Sequence, residues 1–493
     1  MQKFTKLACL VLALVMVVAC FASCGGGEET TLPKADGVQD DDTGRNSVKD
    51  TVPTNLKFDG ETVTFFVRDD NEMWKNEIDV EKTTNDTLFD SIYYRNATVE
   101  QRLGVTIEQI GQAGTFSVSN DWNSTLRNAV LTKSGDYDAA AIYASTGSAL
   151  AVEGLYYNML DLPHINLNQP WWNQTIRDEL TLFDTLYYLG GDIVVTETAN
   201  GMTMFYNKDL FNELYQTQNL NLYQMVEEGK WTIDELITLV NGAWVDENSD
   251  GVISDGDTVG YKNNATSSGN GGMDAWIPAM GIKLTTIIDG YPELTFYDEH
   301  TVEAFEKVKQ LHIESPGSLV VEGGTNTSFS IGNQLFSMGN LNTGSKLRDM
   351  QDDYGVLPLP KFDAEQDDYY TTFDNTASLI VVLSTCTATE KVGATLELMA
   401  AEAYKQVTPA YFEICLQGKY SDEPEDAAMY DRILKTYVFN FGFCYSTKSL
   451  DGIGSLFRNL TADIAQTYEA NKTKYETALD ELIDKLDEIS FNM

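Results

Sequence analysis

The segment Glu61-Thr62-Val63-Thr64-Phe65-Phe66-Val67 is a run of β-branched and aromatic residues, which is typical of a buried β-strand. Apolar residues then recur at helical spacing, at Leu88, Ile92, Val99 and Leu103. Gly104 stands where the C-terminal cap of that helix is expected, and the strand Val105-Thr106-Ile107 follows directly. A strand, a helix and a strand in this order predict a β-α-β unit, and therefore an α/β fold.

Other segments extend this alternation. The runs Tyr137–Tyr143 and Thr185–Leu189 predict further strands of the same layer. Thr232 and Glu235 form a Thr-x-x-Glu capping box, which predicts the start of a helix. From Thr461 onwards a long amphipathic helix is predicted, whose apolar side is formed by Ile464, Tyr468, Tyr475, Leu479, Leu482 and Leu486. A chain of this length exceeds what one hydrophobic core usually serves, so we expect two globular units.

The N-terminus has the pattern of an export signal, because two lysines precede an apolar run from Leu7 to Phe21. The run is short for a membrane-spanning helix, which needs about 20 apolar residues. It ends at Ala22-Ser23-Cys24, which resembles the lipobox of bacterial lipoproteins, with residues 1–23 removed and Cys24 lipidated. Lipidation at Cys20 and an ordinary cleaved signal remain alternatives.

Residues 24–55 are polar and lack hydrophobic periodicity, which predicts a disordered tether. Removing residues 1–23 takes away two lysines and no acidic residue, so the net charge falls from −42 to −44. This field repels polyanions, which excludes nucleic acid as a partner and leaves the lipid anchor as the only expected membrane contact. The expected product is a monomer outside the cytoplasm, anchored to the outer face of the bacterial cell membrane.

Three cysteines remain in the folded part, Cys386, Cys415 and Cys444. They are far apart and odd in number, so no full disulfide framework is implied. Each is predicted to be a small buried residue, and one disulfide between two of them is the alternative.

Four segments carry a recognisable set of motifs. Met204–Phe211 reads MFYNKDLF, and Trp231–Glu235 reads WTIDE. Gln334–Asn340 reads QLFSMGN, and Tyr354–Pro360 reads YGVLPLP. In this order and at this spacing they resemble the family 1 extracellular solute-binding proteins of bacterial ABC importers, the group that includes maltose-binding-type proteins.

This resemblance implies a type II periplasmic-binding-protein fold, with two α/β lobes and a ligand cleft between them. Lobe 1 would consist of residues 56–198 and 358–403, and lobe 2 of residues 199–357 and 404–493. The resemblance also implies a receptor that binds a carbohydrate, an oligosaccharide, and delivers it to the permease subunits of an ABC transporter. It implies no enzymatic activity.

A sugar cleft needs aromatic faces for the C–H faces of the rings, together with polar groups for the hydroxyls. Side chains at the carboxyl ends of strands are favoured, because ligands of open α/β sheets bind there. The aromatic candidates, each with a place in the core as the alternative, are Trp74, Trp171, Trp172 and Trp276. The polar candidates are Arg68, Asp69, Asp70, Ser145, Asp192, Asn340 and Asn375.

The segment Asp246–Asp257 fits an EF-hand-like calcium loop with a turn glycine at Gly251. Its oxygen ligands would be Asp246, Asn248, Asp250, the Val252 carbonyl and Asp257. Aspartate replaces the usual glutamate at the twelfth position and reaches less far. We expect a structural Ca²⁺ and no required cofactor, with a plain acidic turn as the alternative.

The chain has three histidines and lacks the HExxH, G-x-S-x-G and Walker-type motifs. This disfavours most hydrolytic classes. Two other functions remain open. One is a surface glycosidase, whose paired carboxylates cannot be recognised in a sequence. The other is an adhesion or sensory lipoprotein that binds glycan.

Overall fold

The computed structural model describes residues 44–263, 272–321, 329–373, 376–416, 424–445, 450, 454 and 456–492. The predicted lipidation site Cys24 and the predicted ligand residue Asn375 therefore lie outside the described residues. Cys386 is half-buried and Cys444 is buried, and both are free thiols.

Strands and helices alternate along the chain. The strands are β1 (Glu61–Arg68), β2 (Val105–Gln112), β3 (Ala139–Tyr143), β4 (Met202–Asn207), β5 (Val259–Asn263), β6 (Thr285–Ile288), β7 (Tyr291–Leu294), β8 (Ser318–Val320), β9 (Gln334–Asn340), β10 (Tyr354–Leu357) and β11 (Ser378–Val382). The α-helices are α1 (Glu72–Asn76), α2 (Thr87–Leu103), α3 (Ser119–Thr132), α4 (Ala144–Gly147), α5 (Gln174–Leu180), α6 (Val195–Ala199), α7 (Lys208–Tyr215), α8 (Leu222–Glu227), α9 (Ile233–Gly242), α10 (Trp276–Ala279), α11 (Glu299–Lys309), α12 (Thr343–Lys346), α13 (Thr389–Leu416), α14 (Pro424–Lys435), α15 (Phe441–Cys444) and α16 (Ile464–Asn492).

The first sheet has the strand order β11-β3-β1-β2. Strand β1 runs parallel to β2 and β3, whereas β11 is antiparallel to β3. The side chains of Val63, Phe65, Phe66 and Val67 are buried, as the apolar run predicts. The predicted β-α-β unit is therefore confirmed, with α2 as the crossover helix between β1 and β2.

The second sheet has the order β10-β4-β9-β5-β8 and mixes parallel with antiparallel pairs. Strands β6 and β7 form a separate hairpin. All strands of the first sheet fall in the segments predicted for lobe 1, and all strands of the second fall in those predicted for lobe 2. The lobe boundaries themselves stay a prediction.

The predicted strand Thr185–Leu189 is wrong. This segment reaches the first sheet only at Leu189, which exchanges two backbone hydrogen bonds of 2.9 and 2.8 Å with Ile380. A turn between Leu182 and Thr185 comes just before it, and Gly191 at φ +128° comes just after it. Because both turns redirect the backbone, the segment pairs with the sheet at Leu189 alone and does not extend into a strand.

Local capping agrees with the sequence patterns. Helix α2 ends at Gly104, whose φ of 64° suits glycine and whose N–H donates to the Glu100 carbonyl at 2.8 Å. Helix α9 begins after Thr232, whose hydroxyl accepts from the Glu235 N–H at 3.4 Å. The C-terminal helix α16 buries the six residues predicted for its apolar side.

Within the part of the chain that the structure describes, no helix is both long enough and apolar enough to span a membrane.

Candidate functional site

A cavity of about 300 Å³, here called the phenylalanine cavity, lies where α4 and α5 meet segments that follow β5 in the chain. Its described lining residues are Ala144, Ser145, Thr175, Glu179, Asp274, Pro278, Gly281, Ile282, Lys283, Tyr370, Thr372, Phe373, Val438, Phe439, Asn440, Phe443, Cys444 and Arg458. They come from distant parts of the chain, so folding alone assembles this surface.

Helices α4 and α5 supply the polar groups on one side. Asn173 caps α5 by accepting from the N–H groups of Thr175 and Ile176, at 3.0 and 3.3 Å. Thr175 and Glu179 are then one helical turn apart and face the same cavity. Ser145 is the second residue of α4, which begins immediately after β3. The Ser145 Oγ and the Glu179 Oε2 are both buried and have no hydrogen-bond partner among the described residues.

Two ion pairs lie in the cavity wall. Arg458 donates to both carboxylate oxygens of Asp274, from Nε at 2.7 Å and from Nη2 at 2.5 Å. Lys283 Nζ lies 2.7 Å from Glu179 Oε1 and so connects α5 to the segment after α10. The wall therefore carries charge, but each charge faces its opposite.

Aromatic rings form the rest of the wall. The rings of Phe373 and Phe439 lie 5.2 Å apart between centroids, and Tyr370 and Phe443 also line the cavity. The Asn440 side chain is fixed because its Nδ2 donates to the Thr285 carbonyl at 2.9 Å. Burial raises the pKa of the Cys444 thiol to about 12, so this residue is a small neutral wall component.

Of the predicted ligand residues, Ser145 lines this cavity. Arg68 and Trp74 lie together at the carboxyl end of β1, where the guanidinium stacks 4.2 Å from the centroid of the Trp74 ring. Arg68 is buried and donates from Nη2 to the Thr376 carbonyl at 2.9 Å and to Ser378 Oγ at 2.7 Å. Burial lowers the pKa of Arg68 to about 10.

The neighbouring acids are exposed. Asp69 donates its backbone N–H to the Gln112 carbonyl at 3.2 Å, and Asp70 accepts from the Gly114 N–H at 2.6 Å. Neither of them lines the phenylalanine cavity. Their contacts link the two loops that follow the carboxyl ends of the parallel strands β1 and β2.

A second cavity of about 380 Å³, the tryptophan cavity, contains three of the predicted residues, Trp171, Trp172 and Asp192. Both tryptophans are almost completely buried, and Trp172 Nε1 donates to Glu397 Oε2 at 2.9 Å. Thr175 lines both cavities. The tryptophan cavity therefore adjoins the phenylalanine cavity across α5.

Asp192 and Glu197 are the acids of the tryptophan cavity. Burial raises the pKa of Asp192 to about 6 and that of Glu197 to about 7. Asp192 accepts from the Thr408 hydroxyl and lies 3.6 Å from Arg45 Nη1. Glu197 accepts from the Asn173 amide and from the Gly191 N–H. Asp192 does not end a strand, contrary to the prediction, because the chain turns at Gly191.

Two other predicted residues lie away from both cavities. Trp276 is fully buried, and its ring packs edge-on against His312 at 5.5 Å, which is a core position. Asn340 is the last residue of β9 and accepts from the Thr343 hydroxyl at 3.1 Å. Neither is among the described lining residues of the two cavities.

The predicted calcium loop folds around its carboxylates. Asp246 accepts from the N–H groups of Asp250 and Gly251, at 3.2 and 2.7 Å. Asp257 accepts from the N–H groups of Glu247 and Ser254, at 3.1 and 2.8 Å. Among the described residues no group of three or more His, Cys, Asp or Glu side chains is arranged to hold a metal ion. Calcium binding by this loop stays a prediction.

Sequence reasoning missed most of the phenylalanine cavity, including Glu179, Asp274, Lys283, Phe373, Phe439 and Arg458. One signal was present. The segment 437–445 reads YVFNFGFCY, an unusual density of aromatic residues around one asparagine. The charged members carry no sequence pattern, because their partners are more than a hundred residues away.

The chain matches no protein-family model, and no protein of curated function is detectably similar to it in sequence. Solved structures are similar in fold. One is a cyclo/maltodextrin-binding protein complexed with maltotetraose, with 13% identity, a TM-score of 0.54, and coverage of 88% of this chain and 98% of the other. The galacto-N-biose/lacto-N-biose I-binding protein of a Bifidobacterium longum ABC transporter, in complex with lacto-N-biose, gives 13% identity, a TM-score of 0.53, and coverage of 87% and 98%.

The GacH receptor of Streptomyces glaucescens, solved unliganded and with acarbose, is similar at 13% identity and a TM-score of 0.51, with coverage of 87% of this chain and 98% of the other. At this level of identity the likeness shows the fold alone. The α/β fold of type II periplasmic-binding proteins, which the sequence motifs imply, is thereby confirmed.

Proposed function

We propose that this protein is the lipid-anchored receptor of an ABC importer, that it binds a carbohydrate in the phenylalanine cavity, and that it delivers the sugar to membrane permease subunits without chemical change. The observation that carries the proposal is the lining of that cavity. Aromatic rings, the serine Ser145 and the carboxylate residue Glu179 line it together.

This lining suits a sugar on physical grounds. The rings of Phe373 and Phe439 offer apolar faces to the C–H groups of a pyranose. Ser145 and Glu179 also line the cavity, and a hydroxyl and a carboxylate are groups that hydrogen-bond to sugar hydroxyls. The cavity volume of about 300 Å³ lies at the lower end of the range for small-molecule sites and favours a short saccharide over a long chain.

The fold supports the same function. The solved structures with this fold include ABC-transporter sugar-binding proteins that carry bound saccharides. A ligand between two lobes stabilises the closed form to the extent that it binds that form more tightly, and the permease can distinguish the closed shape.

A surface glycosidase is the second candidate, because Asp192 and Glu197 have raised pKa values and share a cavity with two tryptophans. However, the described structure gives both carboxyl groups internal hydrogen-bond donors. Their arrangement is typical of a buried structural network.

Thermal unfolding of the protein from residue 44 onwards, which keeps the packed residues Arg45, Asp50 and Val52, tests the proposal with a panel of mono- and disaccharides. A ligand at 100 times its dissociation constant adds about 2.7 kcal/mol to the free energy of unfolding, a rise in Tm of a few degrees. We expect one short sugar to give this rise and to be recovered intact. Released reducing sugar would support the glycosidase, and the absence of a rise with every sugar would contradict carbohydrate binding.

A further inference from the structure

We infer that the phenylalanine cavity takes an uncharged saccharide and discriminates against the uronic acid of the same size. This inference rests on the proposed function and narrows its substrate class. Its basis is the charge arrangement of the wall, in which the described charged residues are two acids and two bases that pair with one another.

The Asp274–Arg458 pair cannot bind a ligand carboxylate without breaking its own contacts. Asp274 and Arg458 form a two-point contact at 2.7 and 2.5 Å, and their side chains are 9% and 20% exposed. A carboxylate that took Arg458 would leave Asp274 buried without its cation. Breaking a buried pair in this way is strongly unfavourable.

The second pair places a carboxylate in the cavity wall. Lys283 contacts Oε1 of Glu179, while Oε2 of Glu179 is buried and has no partner among the described residues. A sugar hydroxyl can donate to the carboxylate of Glu179, which lines the cavity. A ligand carboxylate has no proton to donate at neutral pH and would instead place like charges together.

The net charge of the whole chain also disfavours an acidic sugar. Its formal net charge is −42, and such a field disfavours the approach of an anionic ligand. Salt screens this long-range contribution, whereas it screens the largely buried Asp274–Arg458 pair much less. Discrimination that persists at high ionic strength therefore comes from the cavity wall.

Isothermal titration tests the inference with matched probes, namely glucose against glucuronic acid, galactose against galacturonic acid, and neutral disaccharides against their uronic-acid counterparts, at low and high salt. For the neutral sugar that binds, we expect the uronic acid to bind about tenfold more weakly or worse in the unmodified protein at both salt concentrations.

Glu179→Gln should reduce this discrimination, because it leaves Lys283 without its carboxylate and therefore available to an acidic sugar. Asp178→Asn is the matched control, since Asp178 is on the same helix, is 60% exposed and pairs with Arg177. The control should keep the discrimination unchanged. Melting temperatures of both variants report whether each one folds.

The outcomes separate the two proposals. If no saccharide, neutral or acidic, binds, the proposed function fails and this inference fails with it. If a uronic acid binds as tightly as its neutral counterpart, the function stands and the inference is overturned. Discrimination that is undiminished at high salt in folded Glu179→Gln would also overturn it, because the Glu179–Lys283 pair would then contribute nothing to it.

Discussion

Phe439 gives the most direct test of the cavity at the scale of one residue. It is 9% exposed and packs against Phe373 in the cavity wall. Phe439→Leu keeps an apolar side chain but removes the flat ring face. We expect the free energy of sugar binding to become less favourable by about 1 kcal/mol, which titration calorimetry would record as a five- to tenfold weaker Kd.

Phe116→Leu is the control for this change, because Phe116 is 72% exposed and does not line the cavity. It should bind sugar as the unmodified protein does. An unchanged Kd in Phe439→Leu would show that the sugar binds elsewhere.

Glu397 makes the stability of the protein depend on pH. Burial raises its pKa to about 7, although Asn166 N–H and Trp172 Nε1 donate to its Oε2. The folded state therefore holds the proton more tightly than the unfolded state, in which the pKa of glutamate is about 4.3. Between these two values the free energy of unfolding falls as pH rises, and above pH 7 the loss is complete.

Glu397→Gln keeps the acceptor oxygen and stays neutral at every pH. We expect the unmodified protein to lose stability relative to this variant between pH 5 and pH 7.5, by an amount on the order of 3 kcal/mol. Chemical denaturation at the two pH values measures the difference. Equal pH dependence in the two proteins would contradict the raised pKa.

At the level of secondary-structure elements, the sequence patterns predicted those helices and strands whose signals lie within one short segment. The run at Glu61–Val67, the helix capped by Gly104 and the C-terminal helix all form, because their apolar periodicity and caps lie within one segment. Thr185–Leu189 has strand-forming residues but no strand, since the turns on either side leave only Leu189 in register with Ile380. Tertiary geometry overrides propensity there.

The loop Asp246–Asp257 gives a prediction at the same scale. If its carboxylates bind Ca²⁺, adding Ca²⁺ should raise the Tm of the chelator-treated protein, and Mg²⁺ should have less effect because it demands a tighter octahedral site. Asp250→Asn should weaken the rise, whereas Asp289→Asn in the β6–β7 turn should not. An identical Tm with Ca²⁺ and with chelator would show that the loop is an acidic turn that binds no metal.

At the scale of the whole molecule, the fold was predictable from collinear motifs, but the site was predictable only in part. Ser145 was found because it follows a strand, as ligand-binding residues of α/β sheets do. Trp171, Trp172 and Asp192 do lie together, but in the neighbouring cavity. The missed residues, such as Asp274 and Arg458, are 184 positions apart and meet only through the fold.

The proposed lipid anchor can also be tested on the whole chain. Cys24→Ser should prevent lipidation and release the protein from the membrane fraction into the medium, while sugar binding by the folded body stays unchanged. Metabolic labelling with a palmitate analogue and fractionation measure both effects. Continued labelling in Cys24→Ser would point to Cys20.

A crystal structure with the sugar that gives the thermal shift would show directly whether the phenylalanine cavity binds carbohydrate. We expect electron density for an intact, short, uncharged saccharide in the phenylalanine cavity, with a ring against Phe373 or Phe439 and a hydroxyl within hydrogen-bond distance of the Glu179 carboxylate. Sugar density in the tryptophan cavity beside Asp192 and Glu197, with the phenylalanine cavity free of sugar, would contradict it.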